Sequence, residues 1–481
     1  MNDTKSIKKN FVYNTALTVT TMLMPLITFP YISRVLLVEA TGKVDFAISL
    51  VNYFIMFSAL GIPTYGIRAC AVVRDDREKL SRTVHELLFI NLFMTGCTYF
   101  VFLISIFIIP RLAQEKGLMI IAGFNLLLNA FGMNWLYSAV EDYRYITIRS
   151  LIVKGLSFIC VFLFLHSPKD YKIYALILVI STVGSNIFNF IHSNKYVTYK
   201  FYGNYCIKMH LRPILTFFAT TVAISVYSNL DIVMLGFISG DREVGYYSAA
   251  LKIRSALATL AVSLGTVLLP RLSYLAQKKQ ISEFKTMLKK SFNYMFLMAI
   301  PITFYFVIYA RPVVLFLSGK AFEGAISTTQ LLVPTVFFAG LSNVTGTQTL
   351  VPLGKEKILL KSIVAGAIVD FILNCILIQY FGSDGAAFST LITEIVVLVI
   401  QCIALKDLLK EISVLKFMIK PLISASIASL ICIQFILEVS GNLAQIMISV
   451  TIFGLVYALI LLITHEPLVL EIVNNFRRKL K

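Results

Sequence analysis

Charged residues are scarce in this sequence, and their scarcity excludes most classes of protein. Asp, Glu, Lys and Arg make up 14% of the 481 residues, whereas apolar residues make up 58%, and the mean hydropathy is +0.82. A soluble domain or a disordered tail needs a far more polar composition. We therefore expect lipid to surround most of the chain.

The signatures of metal proteins and of hydrolytic enzymes are also absent. The seven cysteines are scattered, without a CxxC pair or metal-ligand spacing, so we interpret them as small apolar side chains. The sequence has no Gly-rich phosphate loop and no arrangement of His, Asp, Glu or Ser typical of hydrolysis. We expect no cofactor, and these absences favour a protein that moves molecules over an enzyme.

What the sequence does contain is about fourteen apolar runs long enough to cross a bilayer. A hydrocarbon core of about 30 Å requires roughly 20 apolar residues as helix, because lipid cannot satisfy free backbone N–H and C=O groups. The predicted fold class is therefore an all-α polytopic membrane protein with about 14 transmembrane helices. The predicted spans are 11–36, 44–65, 84–109, 118–140, 146–165, 173–191, 214–238, 244–269, 292–309, 325–350, 358–381, 386–403, 417–437 and 444–464.

The tenth predicted span differs from the others because polar side chains dilute its apolar signal. Thr328, Thr345 and Gln348 are examples. Lipid cannot satisfy such groups. We therefore expect neighbouring helices to shield this span from lipid.

Lysine and arginine in the short loops predict the orientation of the chain. Counting along the sequence places 31 of them on one side of the membrane and 8 on the other, and the richer side is cytoplasmic by the positive-inside rule. We predict a multi-pass protein of the cell membrane with both termini in the cytoplasm. The net charge of +18 is then explained by topology, so we expect no nucleic-acid partner.

The loops on the predicted exterior side are short, most of them about six to eight residues. Membrane glycosyltransferases and polysaccharide polymerases usually carry their chemistry on a substantial external loop or domain. The short loops therefore place the enzyme interpretation last.

Two pairs of short segments indicate an internal repeat. Residues 43–47 (KVDFA) resemble residues 243–247 (EVGYY), and residues 149–152 (RSLI) resemble residues 361–364 (KSIV). In each pair the two segments enter corresponding spans, six apart. We predict two pseudo-symmetric six-helix lobes at 1–205 and 206–412, followed by two additional helices and a basic tail at 413–481.

Several runs resemble the bacterial polysaccharide-biosynthesis flippases of the multidrug/oligosaccharidyl-lipid/polysaccharide exporter superfamily. These runs are NFVYNTALTVTTMLMPLITFPYISRVLLVEATGKVDFAISLVNYF, LGIPTYGIRACAVVRDDREKLSRTVHELLFIN, NWLYSAVEDYRYITIRSLIVKG, SNLDIVMLGFISGDREVGYYSAALKIRSAL and LGKEKILLKSIVAGAIVDFILNCILIQYFGSDGAAFSTLITE. The resemblance covers nearly the whole chain. One departure is LVEA at residues 37–40, where the family usually has a Gly-rich turn.

The resemblance implies two lobes in a V around a central cavity that faces the cytoplasm and the outside in turn. It implies a polyprenyl-diphosphate-linked oligosaccharide as substrate, with the headgroup in the cavity and the tail among membrane lipids. A polysaccharide polymerase and glycosyltransferases are the implied protein partners. A multidrug or peptidoglycan lipid-precursor exporter of the same superfamily is the alternative.

Charged residues inside the predicted spans are the candidates for the cavity. Each costs about 2.5 to 3.5 kcal/mol at a helix centre, so each should face a partner or water. Lys252 is the leading candidate because it shares one stripe of the eighth span with four hydroxyl residues. These are Ser248, Ser255, Thr259 and Ser263. Lys252 either lines a substrate path or pairs with Asp231 or Asp370 between helices.

Four further cations are candidates for contact with an anionic substrate. Lys154 in the fifth span either lines the cavity or extends to the cytoplasmic surface. Arg34, near the outer end of the first span, either gates the exterior or anchors at the interface. Arg68 either obeys the positive-inside rule or captures substrate at the cytoplasmic mouth, and Arg254 either joins the cavity or serves packing.

Acidic and amide side chains inside the spans are candidates for ion coupling. They are Asp231, Asp370, Asn374 and Glu394. These side chains either couple transport to H⁺ or Na⁺ or neutralise the cations, and we favour neutralisation. The membrane potential is the other candidate driving force.

Two prolines in the first span are candidates for a hinge. Pro25 and Pro30 each lack the N–H that a helix needs, so they should kink the helix and free carbonyl groups towards the cavity.

Overall fold

The computed structural model describes residues 7–203, 205–435 and 441–470. The described residues form α-helices joined by turns and by short 3₁₀ and π segments, and they contain no β-strand. The α-helices are α1 (Ile7–Ala59), α2 (Ile62–Val73), α3 (Arg77–Ile108), α4 (Pro110–Ala113), α5 (Lys116–Asn129), α6 (Asn134–Ala139), α7 (Tyr143–Phe164), α8 (Tyr171–Val179), α9 (Asn186–His192), α10 (Ile207–Ile238), α11 (Asp241–Gln277), α12 (Ile281–Ile308), α13 (Ala310–Ser318), α14 (Ala325–Leu332), α15 (Thr335–Ser342), α16 (Glu356–Ala404), α17 (Lys406–Ile412), α18 (Leu415–Phe435) and α19 (Asn442–Ile463).

Within the described ranges, ten helical segments are long and apolar enough to cross a membrane, or eleven if one bent pair in α11 counts as a span. Two of the ten, Met24–Val73 and Glu356–Ala404, have 50 and 49 residues, which is enough for two crossings each. The prediction of an all-α polytopic membrane protein is confirmed. The number fourteen stays a prediction.

The longest helices are broken close to the boundaries that the sequence predicts. Leu37 has a φ of 62° within α1, between the first and second predicted spans. Gly382 has a φ of 53° within α16, between the eleventh and twelfth. The chain reverses at Gly382, since a Cβ on Gly385 would lie 2.4 Å from the carbonyl oxygen of Leu377.

The described residues fall into two compact units, one up to Gly245 and one from Tyr246 on. In the first unit, α3 packs with α2 and α6 around buried side chains that include Leu80, Tyr137 and Trp135. The predicted domain limits, 1–205, 206–412 and 413–481, stay a prediction.

Burial shows that neighbouring helices shield most polar side chains of the tenth predicted span, whereas Gln330 is exposed. Thr328 and Thr329 are fully buried, and Thr345 and Gln348 are 1% and 3% exposed. The Thr345 hydroxyl donates a 2.5 Å hydrogen bond to Oε1 of Gln401 in α16. These polar side chains therefore find partners inside the protein rather than facing lipid.

Candidate functional site

Lys252 lies half-buried on α11, and its hydroxyl stripe becomes more exposed along the helix. Ser248 is 3% exposed, whereas Ser255 and Ser263 are exposed. The hydroxyl of Ser263 lies 3.4 Å from that of Tyr294. The stripe thus runs from the interior of the second unit to its surface. Both interpretations of Lys252, cavity lining and interhelical pairing, stay predictions.

Arg254, a predicted cavity cation, is bound to side chains of two other helices. Its Nη2 donates to Oε1 of Glu394 in α16 at 2.8 Å, and its Nε donates to the Thr335 hydroxyl at 2.8 Å. The side chain of Glu394 is only 3% exposed, and a buried carboxylate needs such a partner. The pair supports the interpretation that Glu394 neutralises a cation, and that interpretation stays a prediction.

Asp370 and Asn374 are buried on one face of α16, as their spacing predicts. Nδ2 of Asn374 donates to Oδ2 of Asp370 at 3.1 Å, and the Thr393 hydroxyl donates to Oδ1 at 3.2 Å. Asp370 therefore joins the two arms of the α16 hairpin. Asp231, which is 6% exposed, lies on α10 in the first unit.

The other predicted cations lie on three different helices of the first unit. Lys154 is half-buried on α7, while Arg34 on α1 and Arg68 on α2 are exposed. Nη1 of Arg34 donates to the carbonyl oxygen of Pro30. The three side chains therefore lie on separate helices, and their contact with substrate stays a prediction.

The predicted hinge prolines lie inside α1, and the helix continues through both. Pro25 and Pro30 keep helical backbone angles, whereas Leu37 does not. The backbone break therefore lies seven residues beyond Pro30. The hinge role of the prolines stays a prediction.

A buried network that the sequence analysis missed joins three helices of the first unit. Oε2 of Glu86 in α3 lies 2.8 Å from Nε2 of His210 in α10, and Nδ1 of His210 lies 2.8 Å from the Tyr65 hydroxyl in α2. The Cys206 amide donates to Oε1 of Glu86 at 2.6 Å. One signal could have found it, because Glu86 is an acidic residue inside a predicted span.

A second missed cluster, here called the Arg111 network, comprises Lys43, Arg111, Glu115, Tyr171 and Asp241. Nζ of Lys43 lies 3.0 Å from Oε1 of Glu115, and the Tyr171 hydroxyl donates to Oε2 at 2.8 Å. Arg111 pairs with Asp241 and also donates to a backbone carbonyl at 2.9 Å. Burial raises the pKa of Glu115, but the hydrogen bonds from Lys43 and Tyr171 outweigh it and lower the pKa below its ordinary value.

Two glycines let the start of α11 approach α1 beside the Arg111 network. A Cβ on Gly42 would lie 1.8 Å from the carbonyl oxygen of Asp241, and one on Gly245 would lie 2.4 Å from that of Val38. Neither distance leaves room for a larger residue. Backbone therefore packs directly on backbone at this junction.

The fold is shared with solved membrane transporters. The structure described as "Lipid II flippase MurJ, inward closed conformation" matches with a TM-score of 0.75 at 16% identity, over 95% of this chain and 100% of that chain. An inward-facing multidrug resistance MATE family transporter of the MOP superfamily matches with a TM-score of 0.55 at 14% identity, over 81% and 99%. These likenesses show the fold.

Sequence comparison gives relatives and a family. The "Putative O-antigen transporter" of Escherichia coli (strain K12) is 26% identical over 409 residues, which cover 82% of this chain and 96% of the relative. The MatE family model matches residues 217–376. The model of the polysaccharide biosynthesis protein family matches residues 7–276, more than half of the chain. The chain belongs to the polysaccharide biosynthesis protein family.

Proposed function

We propose that this protein is a flippase that moves polyprenyl-diphosphate-linked oligosaccharide repeat units from the cytoplasmic to the outer leaflet. The product would feed synthesis of a cell-surface polysaccharide such as capsule, O-antigen, teichoic acid or exopolysaccharide. The family match over residues 7–276 carries the proposal. The many apolar helices supply the membrane setting, and relatives named as O-antigen transporters support the substrate class.

The proposed orientation follows from the loop charges, 31 Lys and Arg on the cytoplasmic side against 8 on the other. Both termini are then cytoplasmic, and both lie outside the described residues. Glycosyltransferases and a polymerase are the proposed protein partners, since a lipid-linked repeat unit must be built on one side and polymerised on the other.

The proposed mechanism is alternating access without a catalytic residue or a nucleotide. One or two cavity cations, with Lys252 as the leading candidate, offset the desolvation of the diphosphate, since a unit-charge pair 4 Å apart is worth about 4 kcal/mol at an effective dielectric near 20. Moving one charge across 100 mV is worth about 2.3 kcal/mol, so an outgoing dianion gains roughly twice that when the interior is negative. The membrane potential therefore favours export.

A second candidate function is export of a peptidoglycan lipid precursor or of drugs. The TM-score of 0.75 to a lipid II flippase structure is the observation that favours it. Cationic drugs would require an acidic cavity, whereas the candidate side chains here are mainly basic. The substrate assay below separates these functions.

Reconstitution in liposomes tests the proposal. The purified protein and a polyprenyl-diphosphate-linked oligosaccharide are incorporated together, and the rate at which the sugar becomes accessible on the far leaflet is measured with and without a potential. We expect faster movement than in protein-free liposomes, increased by a potential that is negative on the starting side. Flipping that required a nucleotide, or flipping of lipid II alone, would contradict the proposal.

Variants of Lys252 test the leading cavity residue in the same assay. Lys252→Ala should fold yet lose flipping, and Lys252→Arg, which keeps the charge, should retain part of it. Full flipping by Lys252→Ala would remove this side chain from the site without contradicting the flippase function.

A further inference from the structure

A basic pocket lies between the first turns of α7 and the end of α9 in the first unit. Its volume is 510 Å³, within the range of about 300 to 1,000 Å³ that small-molecule sites occupy. Its ionisable side chains are Asp142, Arg144, Arg149, His192 and Lys195. Tyr145 forms part of the wall, and its ring stacks on His192 with 3.9 Å between ring centres.

A second, apolar cavity of 220 Å³ lies beside this pocket along α7. The two cavities share Val153 and Phe188 in their walls, and the second reaches Cys160. The rise of an α-helix gives about 16 Å between Arg149 and Cys160. We name the two adjoining cavities together the α7 groove, with the first cavity as its basic mouth and the second as its apolar channel.

Arg149 distinguishes the α7 groove from an ordinary surface cleft. Only 8% of this residue is exposed, and its Nε and Nη1 have no hydrogen-bond partner among the described residues. Its Nη2 lies 3.4 Å from Oδ1 of Asn134 and 3.3 Å from the Ser150 hydroxyl, and its guanidinium lies 5.7 Å from the centre of the Tyr145 ring. Because a buried guanidinium without a carboxylate is costly, these donors indicate an anionic ligand.

The remaining charges of the pocket favour a ligand with about two negative charges. Asp142 accepts a hydrogen bond from the Tyr196 hydroxyl at 2.6 Å and another from an amide in the first turn of α7. Arg144 and Lys195 are exposed at the mouth. Three cations against one carboxylate leave a formal surplus of two positive charges in the lining. A diphosphate matches this surplus better than the single phosphodiester of a phospholipid does.

The flank of the α7 groove is apolar and open to the surroundings of the chain. Ile148, Ile152 and Leu156 of α7 are 43%, 57% and 58% exposed, and Phe188 of α9 is 57% exposed. Since α7 is long and apolar enough to cross a membrane, these side chains meet lipid tails there. A hydrocarbon chain of a membrane lipid can therefore lie against this flank.

From this geometry we propose that the α7 groove is a loading site for the prenyl diphosphate end of the lipid-linked substrate. The phosphates bind Arg149 with Arg144 and Lys195, and the prenyl tail lies in the apolar channel. The proposal rests on the proposed flippase function, because that function supplies the substrate class. On the proposed orientation, the basic mouth of the groove faces the cytoplasmic leaflet, where the substrate is made.

Binding of geranylgeranyl diphosphate to the full-length protein tests the proposal. The protein is placed in phosphatidylcholine nanodiscs, and the fluorescence of Trp135, the one tryptophan of the chain, reports binding because its neighbour Asn134 contacts Arg149. We expect saturable binding that is at least about tenfold weaker for Arg149→Gln, since charge-assisted bonds to a phosphate are lost. Arg149→Lys should restore part of the affinity.

Two further variants distinguish binding of the headgroup from binding of the tail and from a general effect of positive charge. Lys208→Gln removes one exposed cation outside the groove and should bind as the wild type does. Ser157→Phe fills the apolar channel that Ser157 lines, so it should weaken geranylgeranyl diphosphate binding but leave inorganic pyrophosphate binding unchanged. Size-exclusion profiles and thermal unfolding check that each variant is folded.

Four outcomes would overturn the proposal. They are equal affinity of wild type and Arg149→Gln, pyrophosphate binding as tightly as geranylgeranyl diphosphate, unaltered binding by Ser157→Phe, and loss of binding when phosphatidylglycerol is added to the nanodiscs. The last would assign the pocket to bulk anionic phospholipid. Flipping by a protein that does not bind the diphosphate would reject the loading site in the α7 groove alone. Binding of the diphosphate without flipping of any lipid-linked oligosaccharide would reject the flippase function alone.

Discussion

The ion pair between Arg254 and Glu394 joins residues 140 positions apart in the sequence, at 2.8 Å. Charges are scarce in the apolar runs, so each one stands out in the sequence as a candidate for a partner or for a polar path. The carboxylate is nearly inaccessible and the guanidinium is 20% exposed. The guanidinium of Arg254 therefore offsets the desolvation cost of the buried Glu394 carboxylate on α16.

Truncating one member of this pair should destabilise the protein strongly. We expect Arg254→Ala to lower the free energy of unfolding by about 3 to 5 kcal/mol, because it leaves the carboxylate of Glu394 without its cation. The double variant Arg254→Met with Glu394→Leu should recover most of that loss. Denaturant unfolding in detergent measures both values, and equal stability of the single and double variants would contradict the interpretation.

At the same scale, the sequence indicates which buried charges exist but not which of them meet. Asp370 and Asn374 share a helix face by their spacing of four, and the structure places them together. Glu86, His210 and Tyr65 come from three helices, and the Glu86–His210 and His210–Tyr65 pairs are 124 and 145 residues apart. Only the packing of the helices brings such residues into contact.

At the scale of elements, the lengths of the apolar runs indicate where the helices break, whereas the residue type at Leu37 does not explain the break there. Proline removes one helical hydrogen bond, and a membrane-spanning helix can tolerate that loss, so α1 continues through Pro25 and Pro30. The break at Leu37 lies at the end of an apolar run that is long enough for one membrane crossing. Apolar length thus predicted the boundary, and the hinge role of the two prolines stays a prediction.

The junction of α1 with the start of α11 depends on the absence of a side chain at residue 42. We expect Gly42→Ala to lower the free energy of unfolding by about 1 to 3 kcal/mol, because its Cβ would overlap the Asp241 carbonyl and the backbone would have to move. Thermal unfolding of the purified protein measures the change.

Gly96→Ala is the matched control for this substitution. Nothing lies within 4 Å of a Cβ built on Gly96, which is inside α3, so alanine should leave stability unchanged or raise it by about 0.5 to 1 kcal/mol. If both alanine variants had the same stability, close approach of backbones at residue 42 would not matter.

At the scale of the whole molecule, composition and apolar length predicted the class and the helical fold. Scarce charge and long apolar runs permit little else than a bundle of membrane-spanning helices. The same reasoning did not single out the α7 groove, because the loop-charge count assigned Arg149 to the positive-inside residues although it lies inside the fifth predicted span. Its burial and its unpartnered nitrogens depend on how α7, α6 and α9 pack.

The orientation of the molecule can be tested with a cysteine that the chain already has. Cys206 is exposed in the segment between α9 and α10, which we expect on the cytoplasmic side. In a variant that keeps only this cysteine, a membrane-impermeant maleimide should label permeabilised but not intact cells. Lys169→Cys, at an exposed position, should be labelled in intact and permeabilised cells alike, and labelling of Cys206 in intact cells would reverse the proposed orientation.

The Arg111 network has a consequence for the environment in which this protein works. On the proposed orientation it faces the medium, whose salinity the cell does not control. Its two ion pairs are largely enclosed, with side chains 10% to 23% exposed, and enclosed pairs are screened by salt much less than open ones such as Arg74–Glu141, at 42% and 44%. The ion pairs of the Arg111 network should therefore be equally stable in dilute and in saline surroundings.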